Sequence, residues 1–327
     1  MKVQNILQII LLQPDTYVWL SIVAMAIVSV VLIMLCRRRK LWLKLLCALF
    51  MTIGWYILLY GTFIGFGKFE VRHVELSFKD LPEAFDGYRI VQFGDAHVGS
   101  YTGWREQMLK RAVDSINAQK ADLVVFTGDL QNKRADEIVK HKDVLSSIKA
   151  KDGIYSVMGN HDYPEYIDAE PIEKMISCEK TMGMELELGW ELLLNSHHRI
   201  RRGDQRIVIA GMENDGEGRF PQLGNISSTL SNLNRQSFVI MLEHDPTSWR
   251  RKILPHSHAQ LTLSGHTHGG QFNLFGWSPA SLKYREYDGL YRAGDRMLYV
   301  TKGLGGVIPF RFGTPGEIVV ITLKCKK

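Results

Sequence analysis

The segment Ile90-Val91-Gln92-Phe93-Gly94-Asp95-Ala96-His97 places a short apolar run directly before a glycine, an aspartate and a histidine. Short β-branched runs that end in glycine-rich turns are typical of buried strands. Four more apolar runs are followed by residue types that bind metals: 123–127 before Gly128-Asp129, 154–158 before Gly159-Asn160-His161-Asp162, 238–242 before Glu243-His244-Asp245, and 261–264 before Gly265-His266-Thr267-His268-Gly269-Gly270. Loops at the carboxyl ends of strands in an open α/β sheet converge on one crevice. The sequence therefore predicts one polar site built from five loops.

The rest of the chain after residue 80 fits an α/β core with a mixed sheet. Amphipathic helices are predicted around 108–116 and 138–148, between the early strands, and a hairpin strand is predicted at 206–210 after the turn 202–205. The full set of predicted strands is 89–93, 123–127, 154–158, 206–210, 238–242, 260–263, 297–300 and 318–323. Strand–helix alternation followed by hairpins favours the α/β class.

The predicted site has the donor types of a metal centre. Its two aspartates, one asparagine and four histidines contain oxygen and nitrogen but no thiolate, which suits Mn²⁺, Fe or Zn²⁺. Residues two apart at a strand end, as in Asp95-x-His97, point to one side and can hold one cation. The donors suffice for two divalent metal ions that share one carboxylate, an arrangement that serves displacement at phosphorus.

These five motifs, in this order, resemble the signature of the calcineurin-like metallophosphoesterase superfamily, and within it the membrane-anchored bacterial phosphoesterases. The resemblance covers roughly residues 70–325 and implies a four-layer α/β/β/α sandwich. It also implies hydrolysis of a phosphodiester, pyrophosphate or phosphomonoester by in-line attack of a metal-activated hydroxide.

The resemblance assigns a role to each motif residue. Asp95, His97 and His268 would hold one metal, and Asn160, His244 and His266 the other, with Asp129 bridging the two. His161 would protonate the leaving oxygen or stabilise transition-state charge, and Asp162 would orient His161. The chain departs from the family pattern at three places, which leave every ligand position intact: Gly94 instead of Ser or Thr, Leu130-Gln131-Asn132 instead of an acidic residue, and Pro315-Gly316-Glu317 instead of Pro-Glu.

The N-terminal region predicts a transmembrane hairpin. Residues 16–36 and 45–66 contain no charged residue, and each run is about as long as a helix that crosses ~30 Å of hydrocarbon. The segment 37–44 between them holds five cations, so we expect it to be a cytoplasmic loop. Residues 1–66 then form the hairpin, 67–80 a linker, and 81–327 an extracytoplasmic metallophosphoesterase domain at the cell (inner) membrane. A cleaved signal peptide followed by one anchor is the alternative.

Composition excludes several other classes of protein. The chain of 327 residues has 46% hydrophobic residues and four cysteines, which excludes a disordered chain and a disulfide scaffold. Its net charge of +6 is concentrated in residues 1–66, which hold six cations and one anion, so no nucleic-acid partner is predicted. The expected partners are the lipid bilayer and a phosphate-ester substrate, which could be a phospholipid or lipid-linked envelope component.

Several features have two readings. The aromatic residues in 272–291 could pack a long loop, or form a lid that receives an apolar substrate or dips into lipid. Arg311 could bind a substrate phosphate or form a structural ion pair, and His256-Ser257-His258 is expected to be a surface loop. Two alternative functions stay open: a metal-dependent amidohydrolase, and a catalytically silent membrane protein that binds phosphates or a partner.

Overall fold

Two six-stranded β-sheets face each other in the structure, a computed structural model that describes residues 14–326. In chain order the strands are β1 (Phe69–Phe78), β2 (Arg89–Phe93), β3 (Leu123–Phe126), β4 (Ile154–Ser156), β5 (Glu191–Leu192), β6 (Ser196–Arg202), β7 (Gln205–Gly211), β8 (Val239–Leu242), β9 (Leu261–Ser264), β10 (Gly289–Ala293), β11 (Arg296–Val300) and β12 (Gly316–Cys325). The first sheet has the order β1-β12-β2-β3-β4-β5, and the second has the order β10-β11-β9-β8-β7-β6. Both sheets are mixed, as predicted.

The buried side chains alternate between two sides of each sheet. In β3, Leu123 and Val125 join the core between the sheets, whereas Val124 and Phe126 point to the outer side of the first sheet. In β7, Ile207 and Ile209 likewise face the first sheet, and Val208 and Ala210 face outward. Because β3 and the second half of β7 are buried on both faces, their sequences are apolar there rather than alternating. Helices cover the outer faces, which gives the predicted four-layer α/β/β/α sandwich.

The helices of the described residues differ widely in length, and the first two belong to the N-terminal hairpin rather than to the layers that cover the sheets. In chain order the helices are α1 (Pro14–Cys36), α2 (Leu41–Tyr60), α3 (Glu106–Ala118), α4 (Asp136–Val139), α5 (Lys142–Ser146), α6 (Pro171–Glu187), α7 (Ile226–Thr229) and α8 (Leu254–His256). Helix α3 buries Leu109, Ala112, Val113 and Ile116 against the first sheet at the helical spacing of its sequence. The second sheet is covered by a π-helical turn, Trp249–Ile253, with Trp249 and Ile253 buried.

The structure differs from the sequence prediction at several elements, among them the short strands β5 and β10, which were not predicted. Residues 67–80, predicted to be a linker, contain β1, which pairs in parallel with β12 along ten residues. Charged residues alternate with apolar ones in this edge strand. Its sequence alone therefore suggests an exposed segment, because its partner strand β12 lies far away in the sequence. The helix predicted around 138–148 is divided into α4 and α5, and α6 was not predicted because it buries only Thr181, Met184 and Glu185.

The N-terminal region forms two antiparallel apolar helices that are long enough to span a membrane. Helices α1 and α2 are joined at residues 37–40, and α2 continues into a π-helical turn, Gly61–Gly65. Both helices are candidate transmembrane spans, and Pro14 and Val18 are the only fully buried residues among those described in them. The Trp55 indole donates to Ser29 Oγ at 3.1 Å between them. Residues 1–13, which we assigned to the same hairpin region, lie outside the described residues.

The hairpin is packed against the α/β domain at the start of α1 and the end of α2. The Asp15 carboxylate accepts a hydrogen bond of 2.7 Å from the Arg105 guanidinium. Next to the π-helical turn, the buried Phe66 packs its ring against Tyr101 at 5.5 Å. The Gly61 carbonyl accepts a bond of 3.0 Å from the Arg311 backbone. These contacts place one end of the hairpin against the loops that follow β2 and β11.

Candidate metal centre

The seven predicted metal-ligating residues lie together at the carboxyl ends of β2, β3, β8 and β9 and after β4. Five of them have left-handed backbone conformations, which are uncommon for residues other than glycine: Asp95 (φ 46°), His97 (46°), Asp129 (61°), His266 (73°) and His268 (54°). Strained conformations of this kind cluster at active sites, where the surrounding structure holds them in place. Here the residues with these conformations have their ligand atoms close together, next to the ends of strands from both sheets.

The first group of donors consists of Asp95, His97, Asp129 and His268, whose ligand atoms all lie within 4.8 Å of one another. The Nε2 atoms of His97 and His268 are 3.3 Å apart. His97 Nε2 lies 3.4 Å from Asp129 Oδ2, and His268 Nε2 lies 3.5 Å from Asp95 Oδ1. Asp95, His97 and Asp129 are buried, so their donor atoms face one another rather than solvent.

The second group consists of Asp129, His244 and His266, and the amide oxygen of Asn160 adjoins it. Asn160 Oδ1 lies 2.7 Å from His266 Nδ1 and 3.2 Å from His244 Nε2. His244 Nε2 lies 3.3 Å from Asp129 Oδ2, the same oxygen that contacts His97. Asp129 therefore belongs to both groups, as expected of a carboxylate placed between two cations.

The charges within the centre favour an ionised Asp129. Burial by itself would raise the pKa of Asp129, but His244 and His161, together with hydrogen bonds from His244 and His97, hold it well below its usual value. Burial also works against a charged His244, yet the Asp129 carboxylate outweighs it and raises the pKa of His244 to about 10. Histidines thus compensate the charge of the Asp129 carboxylate, and a cation bound here would take over that role.

Backbone carbonyl groups fix the orientation of the imidazoles. His97 Nδ1 lies 3.2 Å from the Gln131 carbonyl, His244 Nδ1 lies 2.7 Å from that of Thr127, and His268 Nδ1 lies 3.4 Å from that of Gly305. Metal-ligating histidines commonly donate their second N–H in this way, which leaves the other nitrogen free as a ligand. This donor set fits a pair of divalent cations.

His266 is oriented by a different contact. Its Nδ1 faces Asn160, whereas its Nε2 lies 2.9 Å from the Tyr284 hydroxyl and 3.5 Å from Asp245 Oδ2. The sequence placed Tyr284 among the aromatic residues of 272–291 and did not connect it with His266. It lies sixteen residues after His268 in an aromatic-rich loop, where no spacing rule connects it to His266.

His161 lies beside the two groups without belonging to either. Its ring centroid is 4.8 Å from that of His97, and it stacks on the Tyr166 ring at 4.2 Å. Its Nδ1 lies 2.7 Å from the Asn132 carbonyl. Burial lowers the pKa of His161 to about 4, so the imidazole is neutral at neutral pH without a bound anion.

Asp162 has a different contact pattern from the one we predicted. We expected its carboxylate to orient His161, but the Asn132 carbonyl occupies that position. Instead, Asp162 Oδ2 accepts from the backbone N–H groups of Asp129 (2.7 Å) and Gly159 (2.9 Å), and Oδ1 accepts from Leu130 (2.9 Å) and Gln131 (3.2 Å). The side chain therefore holds the loop that carries Asp129 against the loop that carries Asn160.

Arg311 also differs from both of its sequence interpretations. Its side chain is buried, and its guanidinium donates to the backbone carbonyls of Lys302 and Gly305 at 2.7 Å each and of Gly303 at 3.2 Å. Burial lowers the pKa of Arg311 to about 10. Since the donors are directed at main-chain oxygens, Arg311 supports the loop 302–306 beside the site rather than binding a phosphate or an acidic side chain.

The remaining sequence features are consistent with structural roles. Residues 256–258, at the end of α8 and directly after it, are at least partly exposed and lie outside the two donor groups. At Gly94, where the family pattern has Ser or Thr, an added Cβ would collide with the Thr127 hydroxyl. The Thr127 side chain thus occupies the space that a Ser or Thr side chain at position 94 would need.

Comparison with known proteins identifies the family. The model of the calcineurin-like phosphoesterase family matches residues 88–270, which is more than half of the chain. The chain belongs to the calcineurin-like phosphoesterase family. All seven candidate metal ligands lie within the matched segment.

Relatives of this calcineurin-like phosphoesterase occur in bacteria and animals. The metallophosphoesterase YkuE of Bacillus subtilis is 34% identical over 75% of this chain and 82% of its own length. A transmembrane protein with a metallophosphoesterase domain from Danio rerio is 32% identical over 78% of this chain, but only 57% of its own length. A metallophosphoesterase of Campylobacter jejuni is 27% identical over 96% of this chain and 80% of its own length. The likeness therefore extends beyond bacterial proteins.

Proposed function

We propose that this protein is a membrane-anchored phosphoesterase with two divalent metal ions, which hydrolyses a phosphodiester, a pyrophosphate or a phosphomonoester. The observation that carries the proposal is the position of Asp129 Oδ2, 3.4 Å from His97 Nε2 and 3.3 Å from His244 Nε2. One carboxylate oxygen shared by two otherwise separate donor groups is what a dinuclear site requires. Family membership supports the same chemistry.

Each donor group would hold one ion. Asp95, His97 and His268 would bind the first, Asn160, His244 and His266 the second, and Asp129 both. Divalent cations in such a pair polarise the phosphoryl oxygens and lower the pKa of a water molecule. Mn²⁺, Fe and Zn²⁺ all accept this mixture of carboxylate, amide and imidazole ligands.

His161 would act on the substrate from beside the ions. Because Nδ1–H is donated to the Asn132 carbonyl, Nε2 is the nitrogen left to hold a proton or contact a phosphoryl oxygen. An anionic substrate oxygen nearby would raise the pKa of His161 from its value of about 4, since opposite charges stabilise the protonated ring. The stacked Tyr166 ring would keep the imidazole in its plane during the transfer.

We further propose that α1 and α2 span the inner membrane and that the α/β domain lies outside the cytoplasm. The four consecutive cations at 37–40 lie between the helices, at the end remote from the domain, and such short basic loops are retained in the cytoplasm. The other hairpin end contacts the loops beside the metal centre. This proximity favours a phospholipid or lipid-linked phosphate as substrate.

The experiment uses the full-length protein in detergent micelles, stripped of metal and reloaded with Mn²⁺, Zn²⁺ or Fe. We expect turnover of an aryl phosphodiester or phosphomonoester, binding of two ions per chain, and loss of both on Asp129→Ala. The control is Asp295→Ala, whose carboxylate is exposed and contacts only the exposed Lys79 among the described ion pairs. A folded, metal-loaded wild type without turnover would favour phosphate or partner binding, and amide cleavage alone would favour an amidohydrolase.

The orientation has a separate test. A periplasmic-type phosphatase reporter fused after Lys327 should be active, whereas the same reporter fused after Lys40 should be inactive. The reverse pattern would refute an extracytoplasmic domain without affecting the proposed chemistry.

A further inference from the structure

The loop that follows the last metal motif ends in a sharp turn with an aromatic residue at its tip. Leu274 and Trp277 exchange two backbone hydrogen bonds, of 2.9 and 3.0 Å. The two residues between them, Phe275 and Gly276, have φ angles of 52° and 85°. Two central residues with positive φ define a type I′ turn, in which Asn-Gly is the preferred pair.

Phe275 is unsuited to this position by both backbone and side chain. A bulky residue adopts the left-handed conformation only with strain. In addition, the residue is 99% exposed to solvent. Phe275 therefore gains almost no packing against the rest of the described chain to offset the backbone strain and the exposure of its ring. Three neighbouring apolar side chains are also exposed: Leu274 (40%), Trp277 (50%) and Leu282 (79%). We name Leu274, Phe275, Trp277 and Leu282 the apolar ridge.

The apolar ridge is continuous with the end of the second candidate span. Phe272 lies 6.5 Å from the Trp277 ring and stacks on Phe312 at 5.6 Å. The Phe312 ring in turn meets the edges of Tyr60 at 5.7 Å and Tyr56 at 6.2 Å, near the end of α2. A chain of aromatic rings thus connects the ridge with the end of the hairpin that contacts the domain.

The ridge also borders the metal centre. Ser278, directly after Trp277, donates its hydroxyl to the Gly269 carbonyl at 2.8 Å, next to His268. Tyr284, two residues after Leu282, contacts His266 Nε2. Movement of the ridge would consequently be transmitted to two of the candidate ligands.

We propose that the apolar ridge inserts into the boundary between headgroups and acyl chains of the bilayer that α1 and α2 span, and so holds the opening of the metal centre at the lipid surface. The proposal rests on the membrane anchoring stated above. Aromatic and aliphatic side chains at the level of the headgroups are typical of such insertion. Exposed apolar patches of this kind mark membrane or protein contacts, and continuity with α2 selects the membrane. Lys283, next to Leu282, adds a cation that suits anionic headgroups.

The test places a tryptophan at the tip of the ridge. Full-length wild type and Phe275→Trp are reconstituted in phosphatidylcholine–phosphatidylglycerol vesicles that contain lipids brominated near the headgroup end of the acyl chain. We expect the additional emission of Phe275→Trp to be blue-shifted and quenched. The matched control is Asp204→Trp, in the exposed turn before β7. Since β7 runs parallel to β8, this turn lies at the edge of the sheet opposite the metal centre, and we expect no quenching there.

The wild-type protein separates the possible failures. Its hairpin tryptophans, Trp19, Trp42 and Trp55, should be quenched whenever the hairpin is inserted. If they are quenched while the additional Phe275→Trp emission remains water-like, the ridge does not insert and the proposal is wrong, although anchoring stands. If none is quenched, both the anchoring and the ridge proposal fail. Shielding of the new tryptophan in vesicles without brominated lipid, with no quenching in brominated vesicles, would indicate contact with a second protein copy.

A second variant tests the consequence for the metal centre. Phe275→Asn suits the left-handed turn and removes the aromatic ring, so folding should be unaffected. We expect unchanged turnover of a soluble aryl phosphodiester, and an at least tenfold loss of turnover of a phosphodiester carried on a lipid in the same vesicles. If the variant turned over the lipid-carried phosphodiester as fast as wild type does, the ridge would have no functional role and this part of the proposal would be wrong.

Discussion

The carboxylate of Asp162 accepts a hydrogen bond of 2.7 Å from the backbone N–H of Asp129, the residue shared by both groups of candidate metal ligands. Three further backbone N–H groups, from Gly159, Leu130 and Gln131, are held by the same carboxylate. Asp162 thus joins two of the five site loops through four backbone hydrogen bonds. Its importance for the centre follows from position, since it contacts none of the imidazoles directly among the described hydrogen bonds.

Asp162→Asn should weaken metal binding. The asparagine amide would direct N–H groups at backbone donors, so the loops at 128–131 and 159–160 would separate. Changes around metal ligands typically cost about 10–100-fold in affinity or activity, and we expect a loss of this size in metal affinity measured by calorimetry. Asp168→Asn, six residues away and exposed, is the control. If Asp162 instead acted by orienting His161, metal affinity would be unchanged and only the pH profile of turnover would shift.

Tyr284→Phe should impair one of the two ion positions. The change removes the hydroxyl 2.9 Å from His266 Nε2, which favours the tautomer with Nδ1 free. We expect the weaker of two metal-binding steps to lose about 10-fold in affinity, the lower end for partners of metal ligands, with the other step unchanged. Tyr287→Phe, in the same loop, is the control. Equal weakening of both steps would mean that Tyr284 supports the whole site rather than His266.

Gly159→Ala should destabilise the metal centre by steric collision, without backbone strain. Its φ is not positive, but an added Cβ would collide with the Asp129 carboxylate and lie 2.7 Å from His244 Cε1. Overpacking of this kind costs about 1–3 kcal/mol, and we expect a lower melting temperature and reduced metal content. Gly183→Ala is the matched control, because nothing lies within 4 Å of its added Cβ in α6. That change should raise the melting temperature slightly, as glycine is unfavourable within helices.

The stability of the domain should depend on Asp122 in a defined pH range. Burial would raise the pKa of Asp122, but hydrogen bonds from Lys151, the Arg89 backbone and Arg202 outweigh it and lower the pKa. A carboxylate with a lowered folded-state pKa stabilises the fold above its unfolded pKa of about 3.9, and this contribution is lost as the pH falls through the folded value. Asp122→Asn should therefore destabilise the protein by about 1–3 kcal/mol near pH 7.

Thermal unfolding in detergent at several pH values measures this difference. The gap in melting temperature between wild type and Asp122→Asn should be constant from pH 7 to 5 and narrow below about pH 4. Asp114→Asn is the control, because its pair with Lys110 is exposed and such pairs contribute less than about 1 kcal/mol. If the difference in melting temperature between wild type and Asp122→Asn did not change at low pH, the charge of the Asp122 carboxylate would not be the cause of the stabilisation.

The sequence by itself determined the strands and the loops that carry the chemistry. β2, β3, β8 and β9 are almost entirely buried on both faces, so they are predominantly apolar, and each ends abruptly before a glycine or a polar residue. Local chemistry thus marks both strand and site, and Asp95, Asp129, Asn160 and His266 could be found without coordinates. The two apolar spans are equally local signals, because the length of an uncharged run is sufficient to recognise them.

Only the tertiary structure decided contacts between residues that are distant in sequence or directed at the backbone. β1 becomes a strand through its pairing with β12, 247 residues further along the chain, whereas its own charged residues predict an exposed segment. Asp162 and Arg311 bind main-chain groups, which every residue possesses, so no side-chain pattern could show their partners. Tyr284 reaches His266 through a loop without periodicity. The motif residues can be recognised from local sequence, whereas the groups that position them are brought there by contacts between distant parts of the chain.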